Sequence, residues 1–153
     1  MTISLTSPAF TANGAIPAVH TCDGRDLSPA LAWSGVPPAA KSLALIVDDP
    51  DAPRGTWVHW VVYNIQPSTP GLPEGAGSGA LPAGAMSGRN DFKRTGYGGP
   101  CPPSGSHRYF FKLYALDTVL DGLGEPTKAD LERAMEGHVL ARGELVGTYQ
   151  RAR

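Results

Sequence analysis

Ser42-Leu43-Ala44-Leu45-Ile46-Val47-Asp48 runs through Asp49-Pro50-Asp51-Ala52-Pro53 into Thr56-Trp57-Val58-His59-Trp60-Val61-Val62-Tyr63-Asn64-Ile65. The first segment is an apolar run of strand length, ended by a proline-rich turn. It reads as a buried strand over Ser42 to Asp48. The second, Thr56 to Ile65, reads as a longer strand with period two. Trp57, His59, Val61, Tyr63 and Ile65 share one face, and Val58, Trp60, Val62 and Asn64 the other. Both faces are largely apolar, so this strand belongs at the centre of a sheet. His107 to Leu116 repeats the design, with His107, Tyr109, Phe111, Leu113 and Ala115 opposite Phe110, Tyr114 and Leu116.

Working outward, Ile3 to Ser7 predicts a short strand, Asn13-Gly14 a hairpin turn, and Leu145 to Gln150 a last strand. One helix is signalled. Thr127 is a good N-cap after Pro126, and Asp130 follows at capping-box spacing. Leu131, Ala134, Met135, His138 and Val139 form its apolar stripe, and Gly143 is the expected stop. Many strands with a late helix predict a mainly β protein, a β-sandwich with one or two peripheral helices. Gln66 to Gly96, rich in Gly, Pro, Ala and Ser, is long for a connection. It reads either as an excursion over a functional site or as a poorly ordered surface loop.

The 153 residues suit a single domain, 1–153, able to bury a useful core. With 19 Gly and 15 Pro the chain is turn-rich, yet its apolar runs argue against disorder. A net charge of −1 and no Lys/Arg run argue against a nucleic-acid partner. Arg142, Arg151 and Arg153 read as solvated ends. No apolar stretch is long enough for a membrane span. The N-terminus lacks the basic-then-apolar pattern of a secretory signal, so a cytoplasmic location is the default expectation. Cys22 and Cys101 are too few for a disulfide scaffold and lack a zinc spacing; whether they pair stays open.

The chemistry concentrates in two stiff turns, each feeding a strand with a histidine near its start. The first is Asp49 to Pro53 before His59. The second is Gly98-Gly99-Pro100-Cys101-Pro102-Pro103 before His107-Arg108-Tyr109. Prolines leave such turns few conformations, and the Ala52-Pro53 bond is expected to be cis. If the strands are neighbours, a small polar pocket forms. The glycine N–H groups and protonated His59 and His107 would hold an anion. Asp49 and Asp51 would fix the imidazole tautomers and raise their pKa. Each motif alone is ordinary turn chemistry; the pairing of two is what points to a site. His20 and His138 read as structural.

These motifs resemble the phosphatidylethanolamine-binding protein family, and most of all its bacterial and archaeal branch, often called Raf-kinase-inhibitor-like. Thr21-Cys22-Asp23-Gly24 with Ser28-Pro29 and Trp33, Gly88-Arg89-Asn90-Asp91-Phe92, His138-Val139-Leu140-Ala141 and Gly147-Thr148-Tyr149 extend the likeness over nearly the whole chain. The resemblance implies an antiparallel β-sandwich with a small cavity for phosphate, a phosphorylated small molecule or a lipid head group. Asp49, Asp51, Pro53, His59, Gly99, Pro100, Cys101, His107 and Tyr109 would line or shape it. Eukaryotic members of that family inhibit kinases or proteases or act as signalling scaffolds, so a kinase or protease is a candidate protein partner, but which role a bacterial-type member performs is not implied; a homodimer is compatible. The chain reaches only to Arg153, without the C-terminal helix that gates the pocket in eukaryotic members. Cys101 stands inside the glycine-proline motif, as in the bacterial branch.

The functional expectation is therefore a non-catalytic small-anion binding protein, without a cofactor, acting as an inhibitor or signalling modulator. The alternative is an enzyme, in one of two forms. Cys101 with His107 or His59 could form a thiolate–imidazole pair, although a buried inert thiol is the favoured reading of Cys101. Asp49, Asp51, His59 and His107 could instead hold a metal. A third reading uses Gln66 to Gly96 as a protein-docking surface.

Overall fold

The strand with the apolar run Leu43 to Val47, β3 (Ser42–Asp49), is the middle of a five-stranded sheet, and each of its residues is buried. The computed structural model describes residues 2–151. Arg153, expected as a solvated end, lies outside them. β4 (Trp57–Ile65) pairs with one side of β3 and β7 (His107–Leu116) with the other. β8 (Val139–Tyr149) and the two-residue β6 (Met86–Ser87) are outermost, giving the order β6-β4-β3-β7-β8. A second sheet contains β1 (Ser4–Thr6), β2 (Leu31–Ser34) and β5 (Gly71–Leu72), ordered β1-β2-β5. The strand pairs in both sheets are antiparallel.

Alternation along β3 explains the layers. Leu43, Leu45 and Val47 enter the core between the sheets, with Trp33, Leu72, Phe111 and Leu113. Ala44 and Ile46 enter a second core on the opposite face, closed by Leu131 and Met135 of helix α1 (Lys128–Met135). The architecture is thus an antiparallel β-sandwich with one helix packed on the outer face of its larger sheet.

The strict period-two reading of β4 is corrected at two places. Val47 pairs with Trp60 while Asp48 pairs with Val58, which makes His59 an extra residue. Leu43 pairs with Ile65 while Leu45 pairs with Val62, which inserts another residue near Asn64, where φ is +56°. Each extra residue is a β-bulge and flips the faces beyond it. Val58, Val61 and Tyr63 therefore meet the helix-side core, whereas Trp60, Val62 and Ile65 meet the core between the sheets. Asn64 secures its bulge by bonding the backbone of Leu120 through both amide atoms, at 2.7 and 2.9 Å.

Other expectations shift for local reasons. The capping box forms: Thr127 Oγ1 accepts from Asp130 N, and Asp130 Oδ2 accepts from Thr127 N. The helix stops well before Gly143, because Gly137 turns left-handed at φ +81°. Gly143 lies inside β8, where a Cβ would stand 2.4 Å from the carbonyl oxygen of Ile3. The last strand therefore starts at Val139, not Leu145. His138 leaves the helix stripe, and its Nδ1 lies 2.8 Å from Asp117 Oδ1. Asn13-Gly14 does turn, with Asn13 at φ +64°, but makes no hairpin: Asn13 N donates to Val146 O and Ile16 N to Thr148 O of β8. Ala52-Pro53 is trans, since no cis bond occurs among the described residues. The reversal uses Gly55 instead, at φ +110°, whose N–H closes the turn on Ala52 O.

Candidate functional site

β3, β4 and β7 open at one end onto a cavity of about 220 Å³. Asp49, Ala52, Pro53, Trp57, His59 and Tyr109 line it from the strand ends and the first turn; Phe92, Cys101, Pro102 and Pro103 complete it from loops. Asp48 and Asp49 are consecutive strand residues, so they take opposite faces. Asp48 lies on the helix side, held by Lys112 and Lys128 at 3.1 and 2.7 Å. Asp49 faces the cavity.

His59, the bulge residue, is buried, and its Nδ1 donates to Gly98 O at 2.6 Å. A carbonyl only accepts, so the tautomer is fixed with the proton on Nδ1, and Nε2 is left without a partner among the described residues. Burial pushes the imidazole below its ordinary pKa, opposed only in part by the Gly98 carbonyl and the carboxylates of Asp49, Asp26 and Asp48. The expectation that neighbouring aspartates hold this ring protonated is corrected: desolvation wins. Tyr109 packs edge-on against His59, with ring centroids 5.2 Å apart. Its buried hydroxyl has no hydrogen-bond partner, and burial raises its pKa, so the group stays a protonated donor.

His107 does not line the cavity. It reaches it through Asp49, with Nδ1 on Oδ2 at 2.7 Å and both side chains buried. Asp49 Oδ1 accepts from Asp51 N, also at 2.7 Å. Asp51 itself turns away from the cavity. Its carboxylate accepts from Arg108 N, Nε and Nη2 at 2.8–2.9 Å, and the guanidinium holds it at a pKa of about 2. Asp51 thus clamps the first turn to β7 and is not among the residues that line the cavity.

The glycine-rich turn is corrected in a similar way. Gly98 N donates to His59 O at 3.0 Å, and Gly99 N donates to Asp26 Oδ1 at 2.8 Å. Neither N–H is free for an anion. The missing side chains serve packing: a Cβ on Gly98 would meet the Phe92 ring at 2.4 Å, and one on Gly99 would meet His20 O at 2.4 Å. Pro100 is also outside the cavity, and its carbonyl accepts from Cys22 N. Cys101 is joined to Cys22 in a disulfide. In this state it offers no thiolate nucleophile for the thiolate–imidazole reading. The proposed metal set does not assemble either: Asp51 faces Arg108, and no group of three potential ligands occurs among the described residues.

Sequence reasoning missed the apolar walls. Phe92 comes from the long Gln66 to Gly96 segment, which is ordered and carries β5, β6 and a tight turn around Asn90. Asn90 Oδ1 accepts from Phe92 N, and Asp91 Oδ2 accepts from Val58 N, which docks that turn beside the cavity. Trp57, 39% exposed, stands against Phe92 with ring centroids 5.5 Å apart. The available signal was Asn90-Asp91-Phe92, a turn-forming pair leading into an aromatic residue.

Comparison with known proteins bears on the family and the fold. The family model described as phosphatidylethanolamine-binding protein matches residues 6–150. A UPF0098 protein of Methanothermobacter thermautotrophicus is 55% identical over 150 residues, covering 97% of this chain and 99% of that one. A UPF0098 protein of Chlamydia muridarum is 47% identical and covers 97% and 99%. Among solved structures, a phosphatidylethanolamine-binding protein homologue from Chlamydia trachomatis superposes with a TM-score of 0.92 at 44% identity, covering 99% of both chains. E. coli YbcL, described as a member of the mammalian family, also gives 0.92, at 36% identity over 99% of this chain and 100% of that one.

Proposed function

The chain belongs to the phosphatidylethanolamine-binding protein family, and we propose that its cavity binds the phosphoryl group of a small molecule or head group without turning it over. One observation carries the reading. Nε2 of the His59 imidazole, whose Nδ1 is engaged by Gly98 O, and the buried phenol of Tyr109 have no protein partner among the described residues, and the two rings adjoin each other between apolar walls. A few convergent polar groups in an apolar cleft are the usual form of a small-ligand site. Tyr109 can donate to an oxyanion. His59 Nε2 accepts from a protonated phosphoryl oxygen, or takes up a proton as the ligand binds. In the modulator form of this reading, a kinase or protease partner would present a phosphorylated side chain at the exposed Trp57 rim. The reading treats 1–153 as one domain. No helix among the described residues is long and apolar enough to cross a bilayer.

Calorimetry with methyl phosphate across pH 5 to 8, in buffers of different ionisation enthalpy, tests this. Binding with net proton uptake, strengthening as pH falls, is the expected result. Absence of binding to the oxidised, folded protein at any of these pH values would end the reading.

A further inference from the structure

The Cys22–Cys101 disulfide joins a wall of the cavity to the loop that contains Cys22. Both cysteines are exposed, and Cys101 itself lines the cavity. The two loops are also held together by hydrogen bonds, but these lie on one side of the bridge. Tyr97 Oη donates to His20 O, Gly99 N to Asp26 Oδ1, and Cys22 N to Pro100 O. Beyond the bridge the situation changes. From Cys101 to Ser106 the chain makes no hydrogen bond to any other described residue, and Pro103 to Ser106 are exposed. Gly105 adds a left-handed turn at φ +67°. Until β7 begins at His107, the disulfide is the one tether beyond the packing of Pro102 against its neighbours.

We propose that this disulfide is a thiol-exchange site that governs the cavity: reduction by a dithiol frees the Cys101–Ser106 wall and weakens binding of a phosphoryl ligand. The inference rests on the cavity reading above for its ligand and on geometry alone for its switch. A thiolate of the reductant attacks one protein sulfur, the S–S bond breaks, and the other cysteine leaves as a thiolate that is then protonated. The second thiol of the reductant displaces the first cysteine and closes the reagent into its cyclic disulfide. Two electrons and two protons pass to the protein. Exposed disulfides are the kind that exchange readily, whereas buried structural ones resist.

The hydrogen bonds before Cys101 survive reduction, so Gly98 stays on His59 and the floor of the cavity is unchanged. Only the Pro102-Pro103 side loosens. A bound ligand must then order that segment again, which lowers affinity by loss of pre-organisation. In an oxidising compartment the wall stays shut. In a thiol-rich cytoplasm the loose form would prevail, and ligand occupancy would follow the redox poise.

The test compares the full chain, oxidised and dithiothreitol-reduced, by calorimetry with methyl phosphate and by ¹⁵N relaxation. Near-UV circular dichroism confirms folding in each state, and alkylation followed by mass spectrometry confirms the thiols. Reduction should weaken methyl phosphate binding at least about tenfold, reversibly on reoxidation. Backbone order parameters of Ser104, Gly105 and Ser106 should fall, while those of Gly98 and Gly99 hold. Cys22→Ser/Cys101→Ser should match the reduced protein and ignore dithiothreitol. Equal affinity in both states overturns the proposal, as does a disulfide that opens only when the protein unfolds. Should the double variant fail to fold, reduced wild type makes the same comparison without a substitution. If the oxidised protein binds no methyl phosphate, the cavity reading falls, and the order parameters alone decide whether the bond restrains the wall.

Discussion

Tyr109→Phe separates stability from binding at the cavity. The Tyr109 hydroxyl is buried and unpaired, on a residue that lines the cavity. Leaving a buried polar group unsatisfied costs about 1–3 kcal/mol, so deleting only the oxygen should stabilise the empty protein by roughly 1 kcal/mol. The ring keeps its edge contact with His59 at 5.2 Å and its stacked contact with His107 at 6.5 Å, so no packing is lost. Tyr97 is the control. Its hydroxyl is also buried but donates to His20 O at 2.7 Å, so Tyr97→Phe should destabilise by roughly 1 kcal/mol. The two substitutions remove the same atom and should move the urea midpoint in opposite directions at constant m. Binding should respond the other way. If the hydroxyl donates to a phosphoryl oxygen, Tyr109→Phe weakens methyl phosphate by about 1.5–3 kcal/mol, the range for a bond to a charged acceptor. Destabilisation of Tyr109→Phe by as much as the control would mean that the hydroxyl is satisfied in solution. Unchanged affinity would remove it from the site.

Breaking the disulfide should lower stability by about 2–4 kcal/mol in urea titrations of oxidised and reduced protein. The Cys22–Cys101 sequence separation of 79 sets a chain-entropy ceiling of about 4.5 kcal/mol, and the hydrogen bonds that remain between the two loops reduce it. His59 has a depressed pKa, so the native state binds fewer protons than the unfolded one. Stability should therefore fall as pH drops below about 6.5, and His59→Gln should flatten that limb of the profile. Asp51, held at about 2 against a reference of 3.8, stabilises the fold above the higher value and loses that contribution as pH falls through the lower one. The pair is partly exposed, so the gap between wild type and Asp51→Asn at pH 5 should be under about 1 kcal/mol, should narrow as pH falls below the reference value, and should close only below the folded value.

The central strands were legible because burial on two faces leaves a plain mark. Leu43 to Val47 sit where their apolar run places them, and Phe111, Leu113 and Ala115 sit where the alternation of β7 places them. The bulges at His59 and Asn64 were not legible. Nothing in Val58-His59-Trp60 says that one residue will be squeezed out of register, since that depends on how β3 aligns after both strands exist. β2 escaped because Leu31 to Ser34 is short and gains its order from Trp33 in the core between the sheets, a tertiary effect. Gly143 misled for a related reason: the same residue serves as a helix stop or as a gap for a crossing strand, and only the position of Ile3 decides. Phe92 lies far from both histidines in sequence, and its place at the cavity follows from Asp91 bonding to β4.

The two motifs that drew attention to the site turn out to divide their residues between two tasks. Asp51, Gly98, Gly99 and Pro100 spend their polar groups on the scaffold: on Arg108, on His59 O, on Asp26 and on Cys22. Asp49 is occupied at both oxygens, by His107 and by the N–H of Asp51. Because their own bonds hold these groups, none of them captures His59 Nε2 or the Tyr109 hydroxyl. Under the proposed function, ligand selection would therefore rest not on two protonated imidazoles and glycine N–H groups, as the sequence suggested, but on a fixed tautomer and an unpaired hydroxyl presented between Pro53, Trp57, Phe92 and Pro103. A ligand that brings its own proton to His59 suits such a site better than a fully ionised one. On that ground, methyl phosphate should outcompete dimethyl phosphate near neutral pH, where its monoanion still carries a P–OH. Calorimetric competition at pH 6 checks this, and a preference for the diester would show that His59 is already protonated.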